Sequence, residues 1–159
     1  VYVKGGLVYA IGSRDPEVAI DANTEEGKKL YVQGGTIIAV GKLENGASIT
    51  GGTAKQTTSW TAETWYALYS GGELVAAFKT PTQSSSSSGG GPGGRPGGGG
   101  NQALVVYTSS TPTLTSGVTV SGGTEYFAGA ANIGGTVSGG STVTLSTYTS
   151  SGGGPGGRP

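Results

Sequence analysis

The side chains best placed to do chemistry lie in one stretch, SRDPEVAIDANTEEGKK, from Ser13 to Lys29. It carries Asp15, Glu17, Asp21, Glu25 and Glu26, the densest acidic group in the chain, with Asn23 beside them. On an extended backbone, residues two apart project to the same side, so Asp21 and Asn23 of IDAN point together. A hard cation such as Ca²⁺ takes about six to eight oxygens from carboxylates, side-chain amides and backbone carbonyls. The segment could supply them. The same residues suit a polar turn equally, because Asp and Asn hydrogen-bond to their own local backbone. D-x-N is a weak signal and the stretch is no EF-hand loop, so both readings stand.

A second group is aromatic. KQTTSWTAETWYALYS, Lys55 to Ser70, holds both tryptophans, Trp60 and Trp65, together with Tyr66 and Tyr69. Flat rings exposed on a β surface stack on sugars or on protein, which makes Trp60, Trp65 and Tyr66 candidate carbohydrate-binding residues. The competing reading is that they fill a narrow core, since buried aromatics contribute large hydrophobic stabilisation and the chain has few other large residues. Catalysis finds little support. The chain has no His and no Cys, which removes the usual general base and the thiol nucleophile. Arg14 beside Asp15 is the one pairing of a basic group with the acidic stretch that a lyase-like site could use. The expectation is a protein that is not an enzyme.

The elements that must position these groups are repeated. LYVQGGTIIAVG, from Leu30 to Gly41, is a strand, a Gly-Gly corner and a second strand, and VYVKGGLVYAIG, from Val1 to Gly12, has the same pattern. Laid on each other, Val1 meets Leu30, Tyr2 meets Tyr31, Val3 meets Val32 and Ala10 meets Ala39. Weaker copies are ASITGGTA, ALYSGGELVAAF and VTVSGGTEYFAG, at residues 47–54, 67–78 and 118–129. The apolar runs are short, rich in Val, Ile and Tyr, and bounded by glycines, which favours strands. Val8 and Ala10 match Ile37 and Ala39, then Leu74 and Ala76, an alternation that places these residues on the core side. A supersecondary unit repeated along a chain is the signature of a solenoid. The expected fold is all-β, a short β-helix with Gly-Gly corners and loops of variable length, with Ala10, Ala39 and Ala76 stacked inside.

Composition sets the limits. Glycine reaches 34 residues, apolar residues make up 33% and charged residues 11%, and the formal net charge is zero. Without a basic cluster there is no footprint for nucleic acid or an anionic membrane, and no apolar run is long enough to span a bilayer. Between Thr82 and Asn101 the sequence becomes TQSSSSSGGGPGGRPGGGGN, and the octapeptide GGGPGGRP at residues 89–96 recurs identically at residues 152–159. Such segments are ordinarily flexible linkers. Here the repetition suggests a docking element for another copy, with Pro92, Arg95, Pro96, Pro155 and Arg158 as self-association residues. The expected organisation is β-helix coils over 1–81, a Ser/Gly/Pro-rich insert over 82–101, further β coils or a β cap over 102–151, and a Gly/Pro-rich tail over 152–159. A chain that starts at Val1, with neither Met nor leader pattern, reads as a mature form or a fragment.

VKGGLVYAIGSRDPEVAIDAN, VQGGTIIAVG, SGGELVAAFKTP and ALVVYTSS together resemble the bacterial carbohydrate-binding β-helix family typified by a clostridial polygalacturonate-binding protein. The resemblance covers most of residues 1–80 and, more loosely, 101–148. It implies a right-handed parallel β-helix, extracellular or surface-attached, with calcium held by acidic turns and acidic polysaccharide as partner. Asp21 and Asn23 match the IDAN turn of that pattern, with Asp15 and Glu17 in the preceding RDPE. The chain departs from the family in its few coils, which implies one calcium site rather than several, and in its Gly-Pro octapeptides.

Two functions follow as expectations. One is a non-catalytic, calcium-assisted module that binds acidic polysaccharide outside a bacterial cell. The other is a structural subunit of an extracellular fibre or matrix that self-assembles into a homo-oligomer or filament through solenoid ends and the Gly-Pro segments, because uncapped strand edges stack.

Overall fold

A computed structural model of the chain describes residues 1–12, 18–82 and 102–149. Its strands are β1 (Tyr2–Val3), β2 (Leu7–Ile11), β3 (Tyr31–Val32), β4 (Thr36–Val40), β5 (Ser48–Ile49), β6 (Thr53–Thr57), β7 (Trp65–Ser70), β8 (Glu73–Lys79), β9 (Leu104–Thr108), β10 (Pro112–Ser116), β11 (Thr119–Ser121), β12 (Thr124–Tyr126), β13 (Ala131–Ile133), β14 (Thr136–Ser138), β15 (Ser141–Val143) and β16 (Ser146–Thr147). The fold is all-β, and the one helical element among the described residues is a single 3₁₀ turn, Thr24–Glu26. Contacts divide the chain into two units. The first is built from Val1–Gln56, Gln102–Thr111 and the chain from Ser146; the second from Thr57–Asn101 and Pro112–Leu145. Each unit is therefore discontinuous in sequence, and the break near residue 56 falls inside the stretch expected to form one run of coils.

In the first unit the repeat of the sequence becomes the register of the sheets. β1 and β3 pair in parallel with Tyr2 opposite Tyr31 and Val3 opposite Val32, and β5 continues with Ser48 opposite Tyr31 and Ile49 opposite Val32. After the corner, β2 and β4 pair in parallel with Val8 opposite Ile37 and Ala10 opposite Ala39. Glycine is needed here for proximity. A Cβ on Gly34 would lie 2.5 Å from the Lys4 carbonyl oxygen, and one on Gly35 would lie 2.7 Å from the Gly5 carbonyl carbon. Only bare backbone lets one corner sit on the previous one at strand spacing.

The parallel stack then stops. β9 pairs antiparallel with β4, with Val105 opposite Ala39, and separates β4 from β6 in a five-stranded sheet of order β16-β6-β9-β4-β2. The core between this sheet and β1-β3-β5 contains Leu30, Val32, Ile37, Ala39, Leu43, Val105 and Tyr107, with Val3, Val8 and Ile49 packed against it. Tyr107 closes one end, its hydroxyl donating to the Thr50 carbonyl at 2.6 Å.

The second unit uses the same dipeptide differently. β7 and β8 form an antiparallel hairpin with Ser70 opposite Glu73. Gly71 and Gly72 have φ of 60° and 94°, the positive values that a two-residue type I′ turn requires at both central positions. A six-stranded sheet follows in the order β12-β13-β8-β7-β10-β15, beside a two-stranded sheet of β11 and β14, and all of its pairs are antiparallel. Residues 67–78 and 118–129 thus do not join the sheets of β1 to β4, and Ala76 lies opposite Leu68 rather than stacked on Ala39. Leu74 corrects the expected inward alternation. The register shifts between Leu68 and Tyr69, which places Leu74 opposite Tyr69, 36% exposed near the hairpin tip, while Ala76 is buried. One extra residue in a strand moves the following side chains to the other face.

Candidate functional site

The acidic turn begins with Ala22, a core residue that anchors it to the first unit. From there the chain doubles back: the Asn23 amide donates to Asp21 Oδ1 at 2.6 Å, and Asn23 takes a left-handed conformation with φ 63° at the start of the 3₁₀ turn. Asn and Asp tolerate that region because their short polar side chains bond locally. The Asn23 side-chain amide donates to Glu26 Oε2 at 2.8 Å. A residue that the sequence does not single out fastens the turn from outside. Glu44, buried, accepts from the Ala22 amide at 3.3 Å and the Thr24 amide at 3.2 Å with the same Oε2. A lone Glu twenty or more residues away in sequence carries no local signal for that role.

This geometry supplies two side chains of the expected metal set, Asp21 and Asn23, each already engaged within the turn. Among the described residues no group of three or more His, Cys, Asp or Glu side chains could hold a metal ion. The donors described do not by themselves form the oxygen shell that Ca²⁺ takes. Asp15 and Glu17 lie outside the described residues.

The aromatic candidates separate. Trp60 is 5% exposed and Tyr66 1%, so both belong to the core of the second unit and offer no face to a sugar. Tyr66 stacks on its cross-strand partner Phe78 at 5.6 Å between ring centroids, and its hydroxyl accepts from the Thr61 amide at 2.8 Å. The physical reason is the one that competes with stacking from the outset: a strand pair with few large residues buries those it has. Trp65 is half-buried, opposite Lys79. Pro92, Arg95, Pro96, Pro155 and Arg158 lie outside the described residues.

Two surfaces not expected from residue types alone remain. The first is on the outer face of β1-β3-β5. Tyr2 and Tyr31 stack with centroids 4.6 Å apart and planes 11° from parallel. The Lys4 ammonium lies 5.5 Å from the centre of the Tyr2 ring and that of Lys29 5.8 Å from the centre of Tyr31, both within cation–π range. Tyr2 is 60% exposed. The signal for this surface is present in the repeat: Tyr2 and Tyr31 occupy matched positions next to the inward Val3 and Val32, so period-two alternation turns both rings outward. The second surface is an open groove of about 440 Å³ in the second unit, lined by Thr57, Ser59, Ser116, Ser141, Thr142, Val143 and Thr144. It presents hydroxyls and no charge.

Comparison with protein-family models, with curated proteins and with solved structures finds no match to this chain.

Proposed function

We propose that the chain is a non-catalytic, extracellular carbohydrate-binding module for acidic polysaccharide. The observation that carries this reading is the outward Tyr2–Tyr31 stack with Lys4 and Lys29 beside it. Rings of this kind pack against the apolar faces of sugars, and ammonium groups pair with uronate carboxylates. Parallel strand spacing of about 4.8 Å sets the two tyrosines in one rigid row at little entropic cost on binding. The resemblance to bacterial carbohydrate-binding β-helix proteins points to the same ligand class, and the parallel units of β1 to β5 are the part of the chain that a β-helix reading fits. Calcium assistance depends on Asp15 and Glu17 joining Asp21, and belongs to the same proposal.

The test is titration calorimetry with polygalacturonate and with a neutral polymer, each with and without chelator. Expected is uptake of the acidic polymer that Tyr2→Ala and Lys4→Ala/Lys29→Ala weaken, while Trp65→Ala leaves it unchanged. Loss of uptake in chelator and in Asp21→Ala would support the calcium part. Equal uptake of the neutral polymer, or none of either, would overturn the reading. A structural role in a fibre or matrix is the second reading, favoured by strand–corner–strand units whose outer edges are unpaired in the sheets described.

A further inference from the structure

Gly5 has no visible reason to be glycine. Its φ is not positive, and a Cβ built on it would meet nothing within 4 Å. One repeat later the equivalent Gly34 is required, because the Lys4 carbonyl of the preceding corner lies 2.5 Å from where its Cβ would be. The Gly5 corner therefore keeps the surface that receives a neighbouring backbone, with no neighbour on it among the described residues.

The flanking strands are open in the same way. Among the described residues β1 and β2 each end a sheet, bonded to β3 and β4 on one side only. Edge strands usually carry a Lys, a Pro or a bulge that discourages further pairing; β2 is LVYAI and has none of these. A second unit of the same pattern, β11–Gly122–Gly123–β12, also has both strands at sheet edges. Exposed large apolar side chains gather at these two places. Val1, Tyr2 and Ile11 are on the first, Tyr126 and Phe127 on or just after the second, and Ile133 lies opposite Thr124 of β12. Leu74 is the remaining one among the described residues. The unit β14–Gly139–Gly140–β15 is at sheet edges too, but it bears no large exposed apolar side chain.

We propose that copies of this chain associate by strand addition, the β1–Gly5–Gly6–β2 edge of one copy receiving the β11–Gly122–Gly123–β12 edge of another. Charge selects this pairing over like with like. Within residues 1–12 the one charged side chain is Lys4, and within residues 118–129 it is Glu125. Pairing either unit with its own copy sets equal charges together; pairing them with each other sets opposite charges together. A contact between two different surfaces is heterologous, so it propagates unless the rotation between copies closes a ring. This inference deepens the structural reading and is independent of the glycan.

Sedimentation of the 159-residue chain without any polysaccharide, at low salt and from micromolar to near-millimolar concentration, tests it. Expected is a mass that rises with concentration past the dimer. Gly5→Val should weaken association by about tenfold or more while leaving the melting temperature of the dilute protein unchanged, because the added side chain has open space in the single chain. Lys4→Glu and Glu125→Lys should each weaken association when alone. Mixed together they should restore it, since each mutant then offers the other a complementary edge. A chain that stays monomeric throughout, a Gly5→Val variant that assembles like the parent, or a mixture no better than its components would each overturn the proposal. A mass that stops at the dimer, with Lys4→Glu alone as competent as the parent, would also overturn it, in favour of symmetric pairing. Because no sugar is present, none of these outcomes bears on glycan binding.

Discussion

The corner at Gly34–Gly35 and the hairpin at Gly71–Gly72 are the same dipeptide between apolar strands, and they send the chain in opposite directions. At the corner only the second glycine has positive φ, 84°, and the strand before it, β3, is two residues long. So short a strand gains little by pairing with its own continuation. It pairs instead with the matched strands of the repeats before and after it, and the unit stacks in parallel. At the hairpin both glycines have positive φ, and the strands on either side, WYALYS and ELVAAFK, are six and seven residues long. Each can satisfy the other's backbone directly. Strand length before the turn, more than the turn residues, decides between solenoid and hairpin in this chain.

The strongest break of that comparison is in the first unit's core. Ala39 is fully buried and faces Ala10 on one side and Val105 on the other. Ala39→Asp should cost about 3–5 kcal/mol, because a charge with no partner is placed in the interior. Urea unfolding followed by tyrosine and tryptophan fluorescence would register it, and a midpoint equal to the parent's would remove Ala39 from the core. A half-buried position in the facing sheet supplies the contrast: Ser48→Asp on β5, opposite Tyr31, should move the midpoint far less.

Glycine substitutions sharpen the comparison at smaller scale. Gly34→Ala drives a methyl into the Lys4 carbonyl and should cost about 2 kcal/mol as overpacking against backbone, which yields little. Gly72→Ala meets no neighbour but must hold φ near 94°, a backbone strain of about 1–2 kcal/mol. Gly5→Ala has neither problem and should be neutral, or stabilise by about 0.4–1 kcal/mol through the unfolded chain. Thermal melts of the three at matched dilute concentration should rank in that order. Gly5→Ala as damaging as Gly34→Ala would mean that the first corner is already covered in the single chain.

How far the sequence discloses this fold depends on what each inference rests upon. Matching Val1 to Ala10 against Leu30 to Ala39 foretells the parallel register residue for residue, because in-register stacking puts Val3 with Val32 and Val8 with Ile37 on the core side and Tyr2 with Tyr31 on the outer side together. The same matching misplaces Leu74, since a one-residue register shift leaves no mark in the pattern. It also cannot foresee β9 between β4 and β6, where LVVYT enters from more than sixty residues away. Among the site residues, Trp60 and Tyr66 have the right chemistry and the wrong exposure, which residue type alone does not encode. Asp21 and Asn23 fall where a polar turn needs them, and the carboxylate that secures their turn, Glu44, comes from a neighbouring loop with no motif around it.

An effect confined to alkaline pH distinguishes the two faces of β2. Val8 and Ala10 face the core; Tyr9 lies on the other face, opposite Ile38, and burial pushes its phenol from 10.0 up to about 12. Burial also raises Tyr148, whose hydroxyl sits against Leu43. A phenol with a raised folded pKa keeps its proton longer in the native state than in the unfolded chain. The stabilising contribution is complete below pH 10, where both states are neutral, and is lost as pH climbs from about 10 towards about 12. Unfolding midpoints should therefore be flat through the neutral range and fall across that alkaline window, and Tyr9→Phe should flatten the fall in proportion to its share. If Tyr9→Phe leaves the alkaline slope as steep as the parent's, β2 does not bury its second face, and the edge strand is more open than its neighbour β4.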